Sequence, residues 1–408
     1  MKRVVVTGMG AVSCLGTNRH ALFDGLRAGR QGFHDMPGFA ALGMQCRVAA
    51  PSDTGGLDAP PRKLRRYLPQ AAEYAWHATN EALTEAGLGD LRIRERDVGI
   101  VMGGSSALSE YEAGLDIFHA RGISRLSPFI VPRSMGSAVA ASLTHAFGFG
   151  GRAFTVSSAC TSATHAIGQA MELIQLGRQE IMICGGAEEL HDKAAMCFDV
   201  MHALSATSVA GARVSGPYEA SRDGIVLGGG AGVLVLESMD HALARGATIL
   251  GELAGYGAAS DPDGMVSPAA DGMAEAMHQA IDLAGTIPDY VNTHACATRD
   301  GDLAEWTALQ RVFGDRGYPV PWMSSIKGQV GHAPAAAGAL DAIATLAMME
   351  HGVLLGGAAL HERDDDFADA PLIEGERLAR IDSALSNSFG FGGSCAALMF
   401  RRHDAAAA

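Results

Sequence analysis

The chain has 408 residues, of which 48% are hydrophobic and 19% are charged, and its formal net charge at pH 7 is −14. This negative charge argues against nucleic acid and anionic membranes as the main partners, and glycines or charges interrupt each apolar run before the roughly 18 residues of a transmembrane helix. The seven cysteines are scattered without close pairs, which predicts reduced thiols in a cytoplasmic protein and no metal site.

In chain order, the first part of the sequence alternates strands with helices. β-Branched and apolar runs predict strands at Arg3–Thr7, Val98–Met102, Ala153–Ser157, Glu180–Cys184 and Gly232–Glu237. Apolar residues at helical spacing predict helices at Leu68–Ala86, Met135–Phe147, Ser162–Leu176 and Asp240–Arg245. This alternation predicts a layered α/β fold.

A second series with a similar rhythm follows. The predicted elements are a strand near Leu250–Gly257, a helix at Met273–Ala284, a strand at Tyr290–His294, helices at Asp302–Phe313 and Ala336–His351, and a last strand at Ala396–Arg401. The two series predict a duplicated architecture with two domains, residues 1–245 and 246–408.

One cysteine stands where a strand ends and a helix begins, in the stretch TVSSACTSATHAIGQAM. Cys160 follows the end of the predicted strand, and an amphipathic helix starts directly after it. The unpaired N–H groups and the positive dipole end of a helix N-terminus favour a thiolate. A buried structural cysteine is the alternative interpretation, because free cysteine is among the most buried residue types.

Three further stretches place reactive groups near strand ends or in glycine-rich loops. YVNTHACATRDGD carries His294, SSIKGQVGHAPAAAG carries Lys327 and His332 in a glycine-rich loop, and SNSFGFGGSCAALMF is predicted as a glycine-rich turn before an apolar strand. Ligand sites in parallel α/β sheets lie beyond the carboxyl ends of the strands, so these loops are expected to meet Cys160. Structural histidines and a plain tight turn are the alternatives. The glycine-rich VLGGGAG matches no nucleotide-binding pattern, so no cofactor is predicted.

A dense basic cluster lies in PPRKLRRYLP. Arg62, Lys63, Arg65 and Arg66 are close together in a chain that is otherwise acidic. The cluster is either the ordinary solvated start of a helix or a docking surface for an acidic partner. Arg121 and Arg125 are expected to join it if the fold brings them near.

The sequence resembles the β-ketoacyl-acyl-carrier-protein synthases of the thiolase-like superfamily, most closely synthase I. The resemblance spans the whole chain and rests on VSSACTSATHAIGQAMELIQLG, GGAEEL followed by FDVMHALS, RDGIVLGGGAG, DHALARGA, GYGAASD and SNSFGFGG. It implies a thiolase-like fold, with duplicated halves in five α-β-α-β-α layers. The implied reaction is the decarboxylative Claisen condensation of malonyl and acyl groups on acyl carrier protein. A homodimer is implied, and a heterodimer with a related subunit is the alternative.

The resemblance also implies roles for individual residues. Cys160 matches the family nucleophile, His294 and His332 match its catalytic histidines, and Lys327 matches its lysine. Glu305 matches a glutamate that orders the polar network. The backbone N–H groups of Cys160 and Phe391 would form an oxyanion hole, and the basic cluster would dock the acidic carrier.

The sequence departs from the family pattern at four places. Where the family has HGTxTP, this chain has HACATR at residues 294–299, so Ala295 and Cys296 are changed and only Thr298 of the two threonines remains. Val330 replaces the threonine of the family's TGH, and Ile225 replaces the phenylalanine after RDG. Ser394 and Cys395 replace the threonine and asparagine of GFGGTNA. These departures leave open a specialised ketosynthase of a polyene or polyketide pathway. A non-catalytic chain-length partner is a further alternative, although such partners typically lose the nucleophile. The last alternative is a thiolase in which Cys395 would be the second catalytic cysteine.

Overall fold

The computed structural model describes residues 1–89, 98–104, 107–207, 214, 216–357 and 360–403. The strands in these ranges are β1 (Val4–Val12), β2 (His34–Asp35), β3 (Val48–Ala49), β4 (Val98–Gly104), β5 (Ala153–Val156), β6 (Ile181–Glu188), β7 (Gly230–Ser238), β8 (Gly251–Ser260), β9 (Tyr290–Asn292), β10 (Trp322–Ser324), β11 (Val353–Leu355), β12 (Glu376–Leu378), β13 (Ser383–Gly390) and β14 (Ser394–Arg401).

The helices connect these strands and cover their faces. They are α1 (Arg19–Arg27), α2 (Pro37–Ala41), α3 (Arg62–Arg65), α4 (Gln70–Glu85), α5 (Leu108–Arg121), α6 (Ile130–Ser134), α7 (Ala138–Phe147), α8 (Ser162–Gln175), α9 (Asp192–Asp199), α10 (Met239–Ala244), α11 (Ala270–Ala284), α12 (Arg299–Asp315), α13 (Lys327–Val330) and α14 (Ala337–His351), with two 3₁₀ turns at Ile123–Arg125 and Asp365–Phe367. In the described ranges, no helix has both the length and the apolar character needed to cross a membrane.

Ten strands form one mixed sheet in the order β10-β9-β13-β14-β8-β1-β7-β6-β4-β5. In the first half β4 is parallel to β5 and β6, and β7 is antiparallel to β6 and β1. In the second half β9 is parallel to β10 and β13, and β14 is antiparallel to β13 and β8. The halves therefore repeat one topology and join where β1 pairs with β8. The domain boundary at residue 245 stays a prediction.

Alternating side chains along the strands divide the core into layers. On β4, Ile100 and Met102 face the cluster formed with α4 and α7, whereas Val101 faces the central cluster formed with α8 and α14. On β13, Ala384 faces the central cluster and Leu385 faces a third cluster, formed with α11 and α12. One layer of helices thus lies between the strands of the two halves, and a further layer covers the outer face of each half. The predicted α-β-α-β-α arrangement is confirmed.

Matching glycine pairs let one helix approach each half of the sheet closely. A Cβ on Gly10 of β1 would overlap the carbonyl oxygen of Ala78 on α4, and a Cβ on Gly257 of β8 would overlap that of Ala276 on α11. The same relation holds one turn further along each helix. These contacts need glycine because no side chain fits between strand and helix. They are also the clearest residue-level repeat between the two halves.

We expect Gly10→Ala to lower the free energy of unfolding by about 1–3 kcal/mol, because overpacking forces the helix away from the strand. The measurement is the midpoint of urea unfolding followed by circular dichroism. Gly314→Ala in α12 is the matched control, because a Cβ there meets no atom within 4 Å and alanine suits a helix better than glycine. Equal midpoints for the two variants would contradict this account of the glycine pairs.

The predicted strands and helices are confirmed, with small shifts at their ends, and two local predictions differ from the structure. Ser383–Gly390 is a buried strand that pairs with β14 and β9, although its residues 386–390 belong to the stretch predicted as a glycine-rich turn. Lys327, predicted in a loop, is the first residue of the short helix α13. Small polar residues hide strand propensity in the first case, and a single helical turn has no detectable period in the second.

Candidate active site

Cys160 lies on a sharp turn between β5 and α8. The preceding residue, Ala159, has a left-handed backbone with φ of 50°, which is costly for a residue other than glycine. The hydroxyl of Ser162 stabilises this turn, since it accepts from the N–H of Ser158 at 2.9 Å and donates to the carbonyl of Ala159 at 2.7 Å. The turn therefore fixes the thiol at the start of a buried helix, where the side chain is only 7% exposed.

Burial decides the protonation of this thiol. It raises the pKa of Cys160 to about 12, with a further contribution from Glu188, while Lys327 and the N–H groups of Phe391 and Cys160 lower it by less. Desolvation therefore outweighs the groups that favour the thiolate. At neutral pH the resting group is a thiol.

His294 and His332 converge on this thiol from the second half of the chain. His294 follows β9, and His332 lies between α13 and α14. The Cys160 Sγ and one nitrogen of each ring lie within 4.8 Å of one another, and the rings meet edge to face with centroids 5.2 Å apart. The predicted meeting of these loops is what the structure shows.

Both imidazoles are neutral at physiological pH. Burial, and to a lesser degree the ammonium of Lys327, lowers the pKa of His332 to about 3. Burial, Lys327 and His332 lower the pKa of His294 well below its ordinary value. A neutral imidazole carries one N–H and one bare nitrogen, so each ring can donate one hydrogen bond towards the cavity.

Glu305 holds the loop that carries His294. Its two carboxylate oxygens accept from the N–H groups of His294 and Ala295, each at 2.9 Å, and one of them also accepts from Asn387 Nδ2 at 3.0 Å. The same loop contains Ala297 with φ of 70°. The carboxylate therefore maintains a strained backbone beside the histidine.

Lys327 is buried against an acidic partner that the sequence did not reveal. Its ammonium donates to Asp341 Oδ2 at 2.7 Å, and both side chains are 2% exposed. Asp341 is the only acidic residue in the apolar stretch 337–349 of α14, and that isolation was the available signal. The ion pair fixes the ammonium near both histidines, where it lowers their pKa values.

Asp302 and Arg222 form a second group that the sequence did not reveal, and this group supports the loop that carries His294. Asp302 accepts from the N–H of Cys296 at 3.1 Å and lies 3.6 Å from the guanidinium of Arg222, which is fully buried. Arg222 also pairs with Asp364 at 2.5 Å. The partners lie far apart in the chain, so spacing alone could not connect them.

Two cavities meet at the thiol. One of about 430 Å³ is lined by Cys160, both histidines, Ile225 and Thr298. The other cavity has a volume of about 280 Å³ and a mostly apolar lining. Both cavities are lined by Cys160, Phe198 and Phe391. The thiol can therefore be reached from two directions.

The turn after β13 brings Phe391 to this junction. Its N–H is close enough to the Cys160 sulfur to lower the pKa of the thiol. Glycine at position 390 permits this close approach, because a Cβ there would lie only 3.0 Å from the backbone N of Cys160. The Phe391 ring stacks on Phe198 with centroids 6.0 Å apart. The backbone N–H groups of Phe391 and Cys160 therefore both lie close to the Cys160 sulfur.

The residues that depart from the family pattern occupy the walls of the site. Cys296 and Cys395 line the larger cavity, and burial raises the pKa of each thiol to about 12. The Cys395 thiol is turned to the carbonyl of Gly393, at 3.6 Å. Ser394 keeps a hydroxyl that hydrogen-bonds to Thr161 at 2.7 Å and to His165 at 3.0 Å. Ser394 is therefore a conservative change, whereas Cys296 alters the lining.

The basic cluster lies on α3 and at its C-terminal end, and its four residues are exposed. The segment after Arg125 packs against it: the Arg66 guanidinium lies 5.6 Å from the Phe129 ring, and Arg133 donates to the carbonyl of Arg65 at 2.9 Å. Arg121 and Arg125 are exposed on this neighbouring segment. The segment that follows Arg125 therefore lies beside the basic cluster.

The layered fold and a thiol facing two neutral histidines define a condensing enzyme of the thiolase-like class. The chain belongs to the beta-ketoacyl synthase family: the family's N-terminal domain matches residues 1–242, and its C-terminal domain matches residues 250–360. This confirms the family predicted from the motifs.

Individual relatives agree with this membership. The 3-oxoacyl-[acyl-carrier-protein] synthase 1 of Haemophilus influenzae is 37% identical over 99% of this chain and 100% of its own length. The structure of a beta-ketoacyl synthase from Burkholderia phymatum STM815 has a TM-score of 0.91 at 37% identity and covers 99% of this chain and 100% of its own. The ishigamide ketosynthase/chain length factor has a TM-score of 0.89 at 30% identity, with the same coverage.

Proposed function

We propose that this enzyme condenses an acyl group held on Cys160 with a malonyl group on acyl carrier protein, in fatty-acid elongation. The observation that carries the proposal is the Cys160 thiol within 4.8 Å of two histidine nitrogens, at the junction of two cavities. The name of the Haemophilus influenzae relative supports the carrier as the partner.

In the first half-reaction the Cys160 sulfur attacks the carbonyl carbon of the acyl-carrier thioester. The N–H groups of Cys160 and Phe391 stabilise the oxyanion of the tetrahedral intermediate. The carbon–sulfur bond to the carrier breaks, and the proton of the Cys160 thiol ends on the carrier's sulfur. A covalent acyl-enzyme splits the reaction into two easier steps, and the apolar second cavity receives the chain.

In the second half-reaction a malonyl-carrier thioester enters the larger cavity. Its carbon–carboxylate bond breaks, CO₂ leaves, and the electron pair forms an enolate. The oxygen of that enolate accepts N–H hydrogen bonds from His294 and His332. The enolate carbon then attacks the acyl group, the bond to Cys160 sulfur breaks, and a proton from solvent restores the thiol. Ile225 supplies an apolar wall that excludes water from this cavity.

Lys327 and Glu305 position these residues without touching the substrate. Lys327, held by Asp341, adds to the effect of burial in keeping both imidazoles neutral, and Glu305 holds the backbone of the loop that carries His294. Thr298 is the N-cap residue of α12 and lines the larger cavity.

The direct test is to incubate the enzyme with an acyl-carrier and a malonyl-carrier and to identify the product by intact mass. We expect a 3-oxoacyl-carrier two carbons longer than the acyl group supplied, together with release of CO₂. Saturated and polyunsaturated acyl-carriers should be compared side by side, and omission of malonyl-carrier is the control. Recovery of only the starting carriers with every acyl group would contradict the proposal.

A specialised polyene or polyketide pathway is the second candidate. The similarity to the ishigamide ketosynthase/chain length factor favours it, as do the altered cavity residues Cys296 and Ile225. Preference for the polyunsaturated carrier in the product test would select this candidate. The presence of Cys160 argues against a non-catalytic chain-length partner, and the pair of histidines argues against a thiolase.

The proposed docking surface for the carrier is formed by Arg62, Lys63, Arg65, Arg66, Arg121 and Arg125. We expect the double variant Lys63→Glu/Arg66→Glu to raise the apparent KM for acyl-carrier about tenfold at low salt, because opposite charges speed encounter. Added salt should weaken binding by the parent enzyme, since exposed charges are screened.

The control for docking is the double variant Arg178→Glu/Arg311→Glu, which changes the net charge equally at exposed positions elsewhere. We expect its KM to remain close to that of the parent. An equal rise in KM for both double variants would show that overall charge matters and that the proposed surface does not.

The proposed assembly is a homodimer formed through the β5 edge of the sheet. β5 is the last strand of the order, and its Phe154 is 38% exposed. Exposed apolar side chains on α5, among them Tyr111 and Leu115, extend that surface, and apolar patches of this kind mark interfaces. A heterodimer with a related subunit would use the same edge. The cytoplasmic location stays a prediction.

A further inference from the structure

The catalytic thiol and histidines also have the composition of a transition-metal site. Cys160, His294 and His332 come from three separate segments, and their donor atoms lie within 4.8 Å of one another. Ligand atoms around a tetrahedral zinc ion are about 3.3–3.6 Å apart, given Zn–N of about 2.0 Å and Zn–S of about 2.3 Å. Small side-chain rotations would therefore bring all three groups to bonding distance.

Three of the four ring nitrogens are free to serve as ligands. Among the described residues, none hydrogen-bonds to Nδ1 of His294 or to either nitrogen of His332, although the two residues are only 8% and 1% exposed. A buried polar atom without a partner is costly, and a metal ion would satisfy it. Imidazole and thiolate together suit Zn²⁺ and similar thiophilic ions.

The larger cavity gives an ion both a path and an open position. It is lined by all three side chains, so an ion can reach them without unfolding of the protein. Three protein ligands with a fourth position open to solvent is the arrangement that reactive zinc sites use.

We propose that Zn²⁺ binds Cys160, His294 and His332 and thereby blocks condensation, an inference that rests on the proposed function of these residues. On binding, the S–H bond of Cys160 breaks, a sulfur–zinc bond forms, and the proton goes to solvent, with no change of oxidation state. The acyl-enzyme has no thiol to give, so acylation and zinc binding exclude each other.

The chain contains a natural comparison site. Glu112, His191 and Asp192 also bring three donor atoms within 4.8 Å, but these residues are partly exposed. The ammonium of Lys193 lies 3.6 Å from Glu112 and repels a second cation. We therefore expect this group to contribute little to zinc affinity.

The experiment titrates the intact enzyme with Zn²⁺ against a chromophoric chelator while proton release is recorded. The expected result is one tightly bound ion and one released proton per chain. The same ion should be lost when Cys160 is acylated from an acyl-carrier or alkylated. Substitution with Co²⁺ should give a sulfur-to-cobalt charge-transfer band that is absent from Cys160→Ala.

Variants assign the ligands. Cys160→Ala and His332→Ala should each weaken zinc binding roughly 100-fold or more, because removing a ligand exceeds the effect of losing an outer partner. Cys296→Ser and His191→Ala should leave the affinity unchanged.

Three results would overturn the zinc site: tight binding that survives in Cys160→Ala, zinc that remains bound to the acylated enzyme, or acyl transfer that zinc does not slow. If Cys160→Ala does not fold, alkylation of the parent enzyme still decides the question. Zinc binding without any acyl transfer would refute the proposed function alone, and acyl transfer that zinc does not slow would refute the zinc site alone.

Discussion

Cys160→Ala is expected to abolish the mass increase that marks the acyl-enzyme, while the far-ultraviolet circular dichroism stays unchanged. Cys160 is the only cysteine whose thiol belongs to the group of donor atoms formed with His294 and His332 in the described ranges. Alanine keeps the turn before α8, so the loss is chemical and not structural. The measurement is intact-mass analysis after incubation with acyl-carrier.

Two other thiols line the same cavity and provide matched controls. Cys296→Ala and Cys395→Ala should both retain the acyl mass increase, because neither thiol faces the histidine pair and the two N–H groups together. The assignment of the nucleophile would be contradicted if acylation persisted in Cys160→Ala and peptide analysis mapped it to Cys296 or Cys395.

Replacement of either histidine is expected to damage decarboxylation more than acyl transfer. In the proposed mechanism, His294→Ala and His332→Ala each remove an N–H donor from the developing enolate, and the loss of one such donor typically costs about 10²–10³ in rate. Acyl transfer to Cys160 uses backbone N–H groups and should change less. Release of CO₂ from malonyl-carrier and single-turnover acylation measure the two half-reactions separately.

The protonation of the histidines gives the same prediction a pH test. Burial lowers the pKa of His332 to about 3, so the neutral N–H donor is present at all pH values above that point. The contribution of the histidines to decarboxylation should therefore not change between pH 5 and pH 8. The neutral-donor mechanism would be contradicted if the rate of decarboxylation fell at pH values below the ordinary histidine pKa of about 6.5 and if this pH dependence disappeared in His332→Gln.

The site could be predicted as far as its residues are local features of the chain. Cys160 stands at a strand-to-helix turn, and His294 follows a strand, so period and position alone pointed to both. Lys327 and His332 share one short loop. Their roles came from a family resemblance, because nothing in the spacing says that an imidazole donates to an enolate.

The partners of these residues could not be predicted in the same way. Asp341 reaches Lys327 only because α14 packs beside α13, and Asp302 reaches Arg222 across a large separation in sequence. The glycine pairs of β1 and β8 repeat with α4 and α11, but their meaning depends on which helix covers which strand. Contacts of this kind are set by packing and leave no periodic trace.

The sequence by itself determined the alternation of strands and helices, the duplicated rhythm and the identity of the thiol, histidines and lysine, because these depend on side-chain period and local backbone preference. Only the tertiary structure decided that Ser383–Gly390 is a strand, that two cavities meet at Cys160 and that desolvation holds its thiol protonated. Burial and electrostatic fields sum over groups that are distant along the chain, so no local pattern of residues contains them.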